Sequence, residues 1–299
     1  MARAGVSHSS AMKDRLSPLL RLLRRLFRSI EFNGLSGALA HSCRRLVRSL
    51  GSHGLTGTFE RAFLRAPEAP PAATASRPHP FDLLHGTDTG GHISPADLSW
   101  HSLSAVFVNS YLGIPPSTLR PALQSLPIQH RDFSFIDVGC GKGRALLVAA
   151  EFPFRRLFGV ELSSQLATIA RANVAAHPAW SQRVSIVNQD AARYVYPGGP
   201  LVLFFYYPFY AAVLRRVLAN LHRQLRRSPR PLYLLYADID VNDANLARPT
   251  PRYRKVLRSC AFLEAVADNV YPLSSDDAAA EPSGCIANRF VLHVARLAH

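Results

Sequence analysis

One junction constrains this chain more than any other. The nearly apolar run FSFIDV (133–138) gives way at once to GCGKG (139–143), and a helix-forming run, RALLVAAEF (144–152), follows. A strand that turns directly into a helix through glycines has its backbone N–H groups free at the helix start, where a ligand can approach closely. The same alternation continues downstream. LFGVEL (157–162), RVSIVNQD (183–190), PLVLFFYY (200–207) and PLYLLYAD (231–238) read as strands, with helices over 163–175 and about 209–226. Residues 252–266 and 286–297 are left to supply two more strands and a connecting helix. Apolar strands alternating with helices predict an α/β fold with a mostly parallel sheet covered on both faces.

The chain ahead of this region differs in character. Residues 1–65 hold 12 basic and 3 acidic side chains, so most of the overall formal charge of +15 lies there. Apolar residues at Leu16, Leu19, Leu20, Leu23, Leu26, Phe27 and Ile30 follow a helical spacing after a Ser17-Pro18 start signal, with Arg21, Arg24, Arg25 and Arg28 between them. RRLFRSIEFNGLSG (24–37) and RRLVRSLGSHGLTG (44–57) share eight of fourteen positions, which suggests two short helices closed by glycine turns. This basic extension either contacts an anionic surface (membrane headgroups or nucleic acid), or lays its leucines on the main domain with solvated arginines. Residues 66–80 carry five prolines and five alanines in fifteen positions and read as a stiff linker. The expected division is therefore extension 1–65, linker 66–80, cap 81–132 and core 133–299.

Several function classes drop out. No run approaches the ~18 apolar residues of a membrane-spanning helix. No secretory signal is evident at the start, so a cytoplasmic location is expected. The cysteines at 43, 140, 260 and 285 form no C-x-x-C pair, and the histidines have no zincin spacing, so no metal is expected. There is no G-x-S-x-G. The run from Asp238 to Asn242 starts like a calcium loop but has Asp243 where glycine is required. A dinucleotide loop needs G-x-G-x-x-G, and counting from Gly139 the last position is Arg144. An acid, Asp137, stands two residues before the first glycine, which suits a ligand with a cationic amino group.

On these residues, FIDVGCGKGRALLVAA followed by LFGVELS, the chain resembles the class I S-adenosylmethionine (SAM)-dependent methyltransferases. The run FDLLHGTDTGG (81–91) and the phrase FFYYPF (204–209) make it similar to a bacterial group with an FDxxxGTDTxG lead-in and an N-P-F-like phrase. The resemblance covers about residues 81–240. It implies a Rossmann-like seven-stranded sheet in the order 3-2-1-4-5-7-6, strand seven antiparallel, and SAM as cofactor. It implies that Gly139, Gly141 and Gly143 cradle the methionine part of the donor. Asp137 would face its amino group, Glu161 its ribose hydroxyls and Asp190 its adenine amino group. Thr87, Asp88 and Thr89 are expected to bond the donor's carboxylate or the substrate, with Tyr111 closing the other side.

At the acceptor end the group has Asn where this chain has Tyr207. A carboxamide oxygen accepts the hydrogen of a target amine, and a phenol cannot reproduce that geometry. Tyr206 and Tyr207 are therefore expected to position the acceptor, and a hydroxyl, a carboxylate or an altered amine stay open as targets. A protein side chain or small molecule is expected ahead of RNA. The alternative is a non-catalytic SAM-binding scaffold recruited by the basic extension. Five arginines between Arg215 and Arg227 suggest either a groove for an acidic substrate or a solvated helix face.

Overall fold

In a computed structural model the chain divides into two units, Met1–Ala75 and Ser76–His299. The structure describes residues 78–98, 107–241, 251–280 and 285–296, all in the second unit. The expectations for the basic extension lie outside the described residues.

The described chain begins with helix α1 (Pro80–His85) and a two-stranded ribbon of β1 (His92–Ile93) and β2 (Tyr111–Leu112). Helix α2 (Pro116–Gln124) leads into β3 (Ser134–Val138), α3 (Arg144–Ala150) and β4 (Arg156–Glu161). Then come α4 (Ser164–Ala175), α5 (Pro178–Ser181), β5 (Val184–Asn188), β6 (Leu201–Tyr206) and α6 (Ala211–Arg227). The chain closes with β7 (Leu232–Val241), α7 (Pro251–Arg258), β8 (Leu263–Pro272), α8 (Ser275–Ala280) and β9 (Cys285–Ala295).

Seven of these strands form one sheet in the order β5-β4-β3-β6-β7-β9-β8. The pairs from β5 through β7 are parallel, and β9 runs antiparallel between β7 and β8. Renumbered from β3, this is the expected 3-2-1-4-5-7-6 arrangement. All five residues of β3 are buried, as a central parallel strand requires. Alternate side chains feed two cores. Phe135, Phe204, Leu235 and Phe290 pack with Leu119 and Leu123 of α2 and Leu146 and Leu147 of α3. Ile136, Leu203, Phe205 and Leu234 pack on the other face against Leu214, Val217 and Leu221 of α6.

Helix α6 buries Val213, Leu214, Val217, Leu218, Leu221 and Leu225 at helical spacing. Arg215, Arg216, Arg223, Arg226 and Arg227 are all exposed on its other side. Arg226 and Arg227 sit in the last turn, where the helix dipole favours cations. No helix among the described residues is long and apolar enough to cross a membrane.

The fully buried Phe135 touches both α2 and the neighbouring strands, so its truncation leaves a cavity that the sheet cannot close. Phe135→Ala should cost about 3–5 kcal/mol of stability, read as a lower urea midpoint at unchanged slope.

Candidate active site

The parallel strands deliver their C-terminal ends to one cleft, of about 930 Å3 with its open mouth included. Asp137, Gly139, Cys140 and Gly141 enter it from β3, Glu161 and Leu162 from β4, and Gln189 and Asp190 from β5. Tyr206, Tyr207, Pro208 and Phe209 enter from β6, and Asn109 through Ile114 also line it. Ligands of open α/β sheets bind in such a crevice, where helices depart to opposite faces.

The glycines of the β3–α3 turn are there for space as well as conformation. Gly139 and Gly141 have φ of 83° and 53°. A Cβ on Gly139 would lie 2.4 Å from Pro208 Cβ, and one on Gly141 would lie 2.3 Å from the Tyr111 ring. Two walls of the cleft thus close directly onto the turn. Gly143, also left-handed, caps the start of α3.

Two carboxylates are buried beneath this turn. Glu161 accepts hydrogen bonds from Gly141 N and Ser163 N, both at 2.8 Å. Burial raises its pKa above the usual carboxylate range, and these backbone donors oppose the rise. Asp137 is only 3% exposed, and no group among the described residues hydrogen-bonds its carboxylate. Burial, and then the charge of Glu161, push its pKa up to about 8. Asp190 caps a short turn by accepting from Ala192 N at 2.9 Å, and it borders the cleft. The only cation lining the described cleft is Arg144, and its donors point elsewhere.

Arg144 is 2% exposed. Its Nε donates to Thr89 Oγ1 and its Nη2 to Thr89 O, each at 2.8 Å. Lys142 Nζ reaches Asp88 Oδ1 at 2.6 Å and Gly90 O at 2.9 Å. Asn173 of α4 accepts from Asp88 N and donates to Asp88 O and Lys142 O. Asp82 accepts from the hydroxyls of Thr87 and Thr89 and from Thr89 N.

This corrects one expectation. Thr87, Asp88 and Thr89 do not line the cleft. Their polar groups are taken up by Asp82, Lys142, Arg144 and Asn173, and the lead-in acts as a strap over the turn. Of the expected cap residues only Tyr111 borders the cleft, with its hydroxyl donating to Thr89 O at 2.6 Å. Lys142, Arg144 and Asn173 escaped the sequence reading because their partners lie more than fifty residues away or on another helix.

The β6 end is held by a second cross-chain contact. Residues 107–109 run antiparallel to it, bridging Val108 to Phe209. Tyr210 N donates to Phe107 O at 2.7 Å and Asn109 N to Pro208 O at 3.1 Å. Asn109 Nδ2 donates to Tyr207 O at 2.9 Å. Tyr207 is the one described non-glycine residue with positive φ, 45°, and its ring tilts against Tyr253 at 5.1 Å. Asn109 was also missed, since a lone Asn ahead of the core carries no motif.

A family model described as a methyltransferase domain matches residues 135–228, from β3 to the end of α6. That stretch is similar to a methyltransferase domain. It holds the glycine turn, Glu161, Asp190 and the β6 end. No curated protein matches the chain by sequence. Among solved structures, the chain is similar to the O-MT region of StiE, with 16% identity, 60% of this chain and 72% of that chain covered, and a TM-score of 0.41. It is similar to a SAM-dependent methyltransferase from Leishmania major, with 13% identity, coverage of 58% and 69%, and a TM-score of 0.41. A SAM-dependent methyltransferase from Aquifex aeolicus gives 10% identity, coverage of 60% and 92%, and a TM-score of 0.43.

SAM, the methyl donor of such domains, carries an ammonium and a sulfonium. The cleft offers a buried carboxylate with no partner among the described residues, a glycine turn at its floor, and no described cation directed into it. The residues present fit the donor.

The buried Asp137 also shapes the stability of the ligand-free chain. In the unfolded chain it ionises near pH ~4, in the folded chain near 8. Below pH ~4 it is neutral in both states. Between these values the unfolded chain releases the proton that the folded chain keeps, so stability falls as pH rises and levels off above 8. Urea midpoints measured across that window should decline, and Asp137→Asn should flatten the decline.

Proposed function

We propose that this methyltransferase binds SAM at the C-terminal ends of β3 and β4 and transfers its methyl group to an acceptor held against the Tyr206–Phe209 end of β6. The observation that carries this reading is the buried Asp137 carboxylate, without a hydrogen-bond partner among the described residues, at the head of a glycine turn. A cationic amino group there relieves the repulsion between Asp137 and Glu161 and supplies Asp137 with the donor it lacks. In this reading Asp137 holds the donor's ammonium, and Gly139, Gly141 and Gly143 carry its methionine part. Glu161 accepts from the ribose hydroxyls with the lone pairs left over from Gly141 and Ser163, and Asp190 meets the adenine amino group.

The donor supplies an already activated methyl, so the chain's own work is to orient the acceptor in line and exclude water. Tyr111 lies over Gly141 and closes the donor side. Tyr206 and Tyr207 border the acceptor side. Three carboxylates against one committed arginine favour a neutral or cationic acceptor, a protein side chain or small molecule, over RNA. The basic residues 1–65 are offered as a tether to an anionic surface. Binding to anionic vesicles or to RNA that falls steeply with salt, and disappears on removing residues 1–65, tests that role. The second reading, a SAM-binding scaffold that transfers nothing, has the same donor contacts.

Calorimetry with SAM, S-adenosylhomocysteine and NAD tests the site. SAM should bind and NAD should not. Glu161→Ala should abolish SAM binding. SAM affinity should strengthen as pH rises toward 8 and Asp137 ionises, with Asp137→Asn weak at every pH. Tight SAM binding with no methyl transfer to any cell fraction selects the scaffold.

A further inference from the structure

The acceptor end of the cleft contains a polar group that the β6 phrase does not supply. Asn109 lines the cleft beside Tyr207, and its position is fixed twice. Its backbone N–H donates to Pro208 O at 3.1 Å, and its side-chain nitrogen donates to Tyr207 O at 2.9 Å. A carbonyl oxygen can meet only the nitrogen end of a carboxamide, so this bond also settles which end is which. The oxygen Oδ1 is the remaining end, and no described group donates to it. The walls around it are Val108, Tyr206, Tyr207 and Phe209. The carboxylates of the cleft lie on the donor side, at the ends of β3, β4 and β5.

We infer that Asn109 positions the acceptor of this methyltransferase, and that the acceptor atom is an amine nitrogen whose N–H donates to Asn109 Oδ1. The inference rests on the methyl-transfer reading above and extends it to the class of substrate. A carboxamide oxygen accepts a hydrogen bond but does not take the proton, so it orients a nucleophile without activating it. A hydroxyl needs a base to become an adequate nucleophile. No histidine or lysine lines the described cleft, and its carboxylates come from the ends of β3, β4 and β5. A neutral amine brings its own lone pair and needs only orientation. In the step, that lone pair forms the N–CH3 bond while the S–CH3 bond breaks toward sulfur, and the N–H proton then leaves to water. S-adenosylhomocysteine remains as the thioether product.

The chain thus meets the lack of Asn at position 207 from the segment bridged to it. The carboxamide is carried on the cap segment and tied to the backbone of the residue that replaced it. Aromatic and aliphatic walls suit an amine on an apolar carrier.

The test uses the full chain, tritiated-methyl SAM and a dialysed lysate of its own cells, with mass spectrometry assigning the methylated atom. The expected product is N-methylated. Asn109→Ala should lower the transfer rate on the order of a hundredfold, with SAM affinity by calorimetry and the thermal melt both near wild type. With a labelled amine fraction as acceptor, the wild-type rate should rise with pH as the amine loses its proton. Asn109→Asp puts a carboxylate beside that amine and should move the rising limb to higher pH by about a unit or more, a shift that a purely structural residue would not produce. Methyl on oxygen or carbon, an unaffected Asn109→Ala, or no labelled product from a chain that binds SAM each overturns the inference and leaves the donor site standing. Failure of the wild-type chain to bind SAM overturns the methyltransferase reading itself, and this inference with it.

Discussion

A buried guanidinium has to find acceptors for its donors, and Arg144 finds them in a part of the chain fifty-five residues earlier. Its bonds to Thr89, with those of Lys142 to Asp88 and Gly90, fasten the lead-in across the β3–α3 turn. Leaving such cations buried without partners would cost several kcal/mol each. The turn and the strap therefore stand or fall together. Tyr111 is part of the same arrangement, because its hydroxyl reaches Thr89 O while its ring rests on Gly141. The two ends of the strap thus meet at the glycine turn, and the shape of the cleft follows from that.

Within the cleft the charge balance is the reverse of the molecule's. The chain carries a formal +15, yet the described cleft presents Asp137, Glu161 and Asp190 against a single committed arginine. The basic side chains of α6 point to solvent on the far face. Field lines in a low-dielectric crevice are set by nearby groups, so local acidity prevails over the net charge.

The central sheet was legible because its signal is local. Continuous apolar strands, a glycine turn and an acid at the tip of the next strand each fit in a short window, and the strand order follows from the family resemblance. The lead-in was misread for a physical reason. Short polar residues in a glycine-flanked loop look the same whether they bond a ligand or bond their own chain. What decides between them is a buried partner such as Asp82 or Arg144, and burial is a tertiary property. Asn109 was invisible on the same grounds. Its place is set by a bond to Tyr207, ninety-eight residues away.

The backbone at Tyr207 has a further consequence. A bulky residue in the left-handed region costs roughly 1–3 kcal/mol, and here the segment 107–109 holds it in place. Asn is among the few side chains that accept that region readily. Tyrosine and asparagine codons differ by one base. A Tyr207→Asn variant is therefore one point mutation away, on a path that lowers backbone strain. Such a chain would carry two carboxamides side by side where the segment 107–109 meets the end of β6.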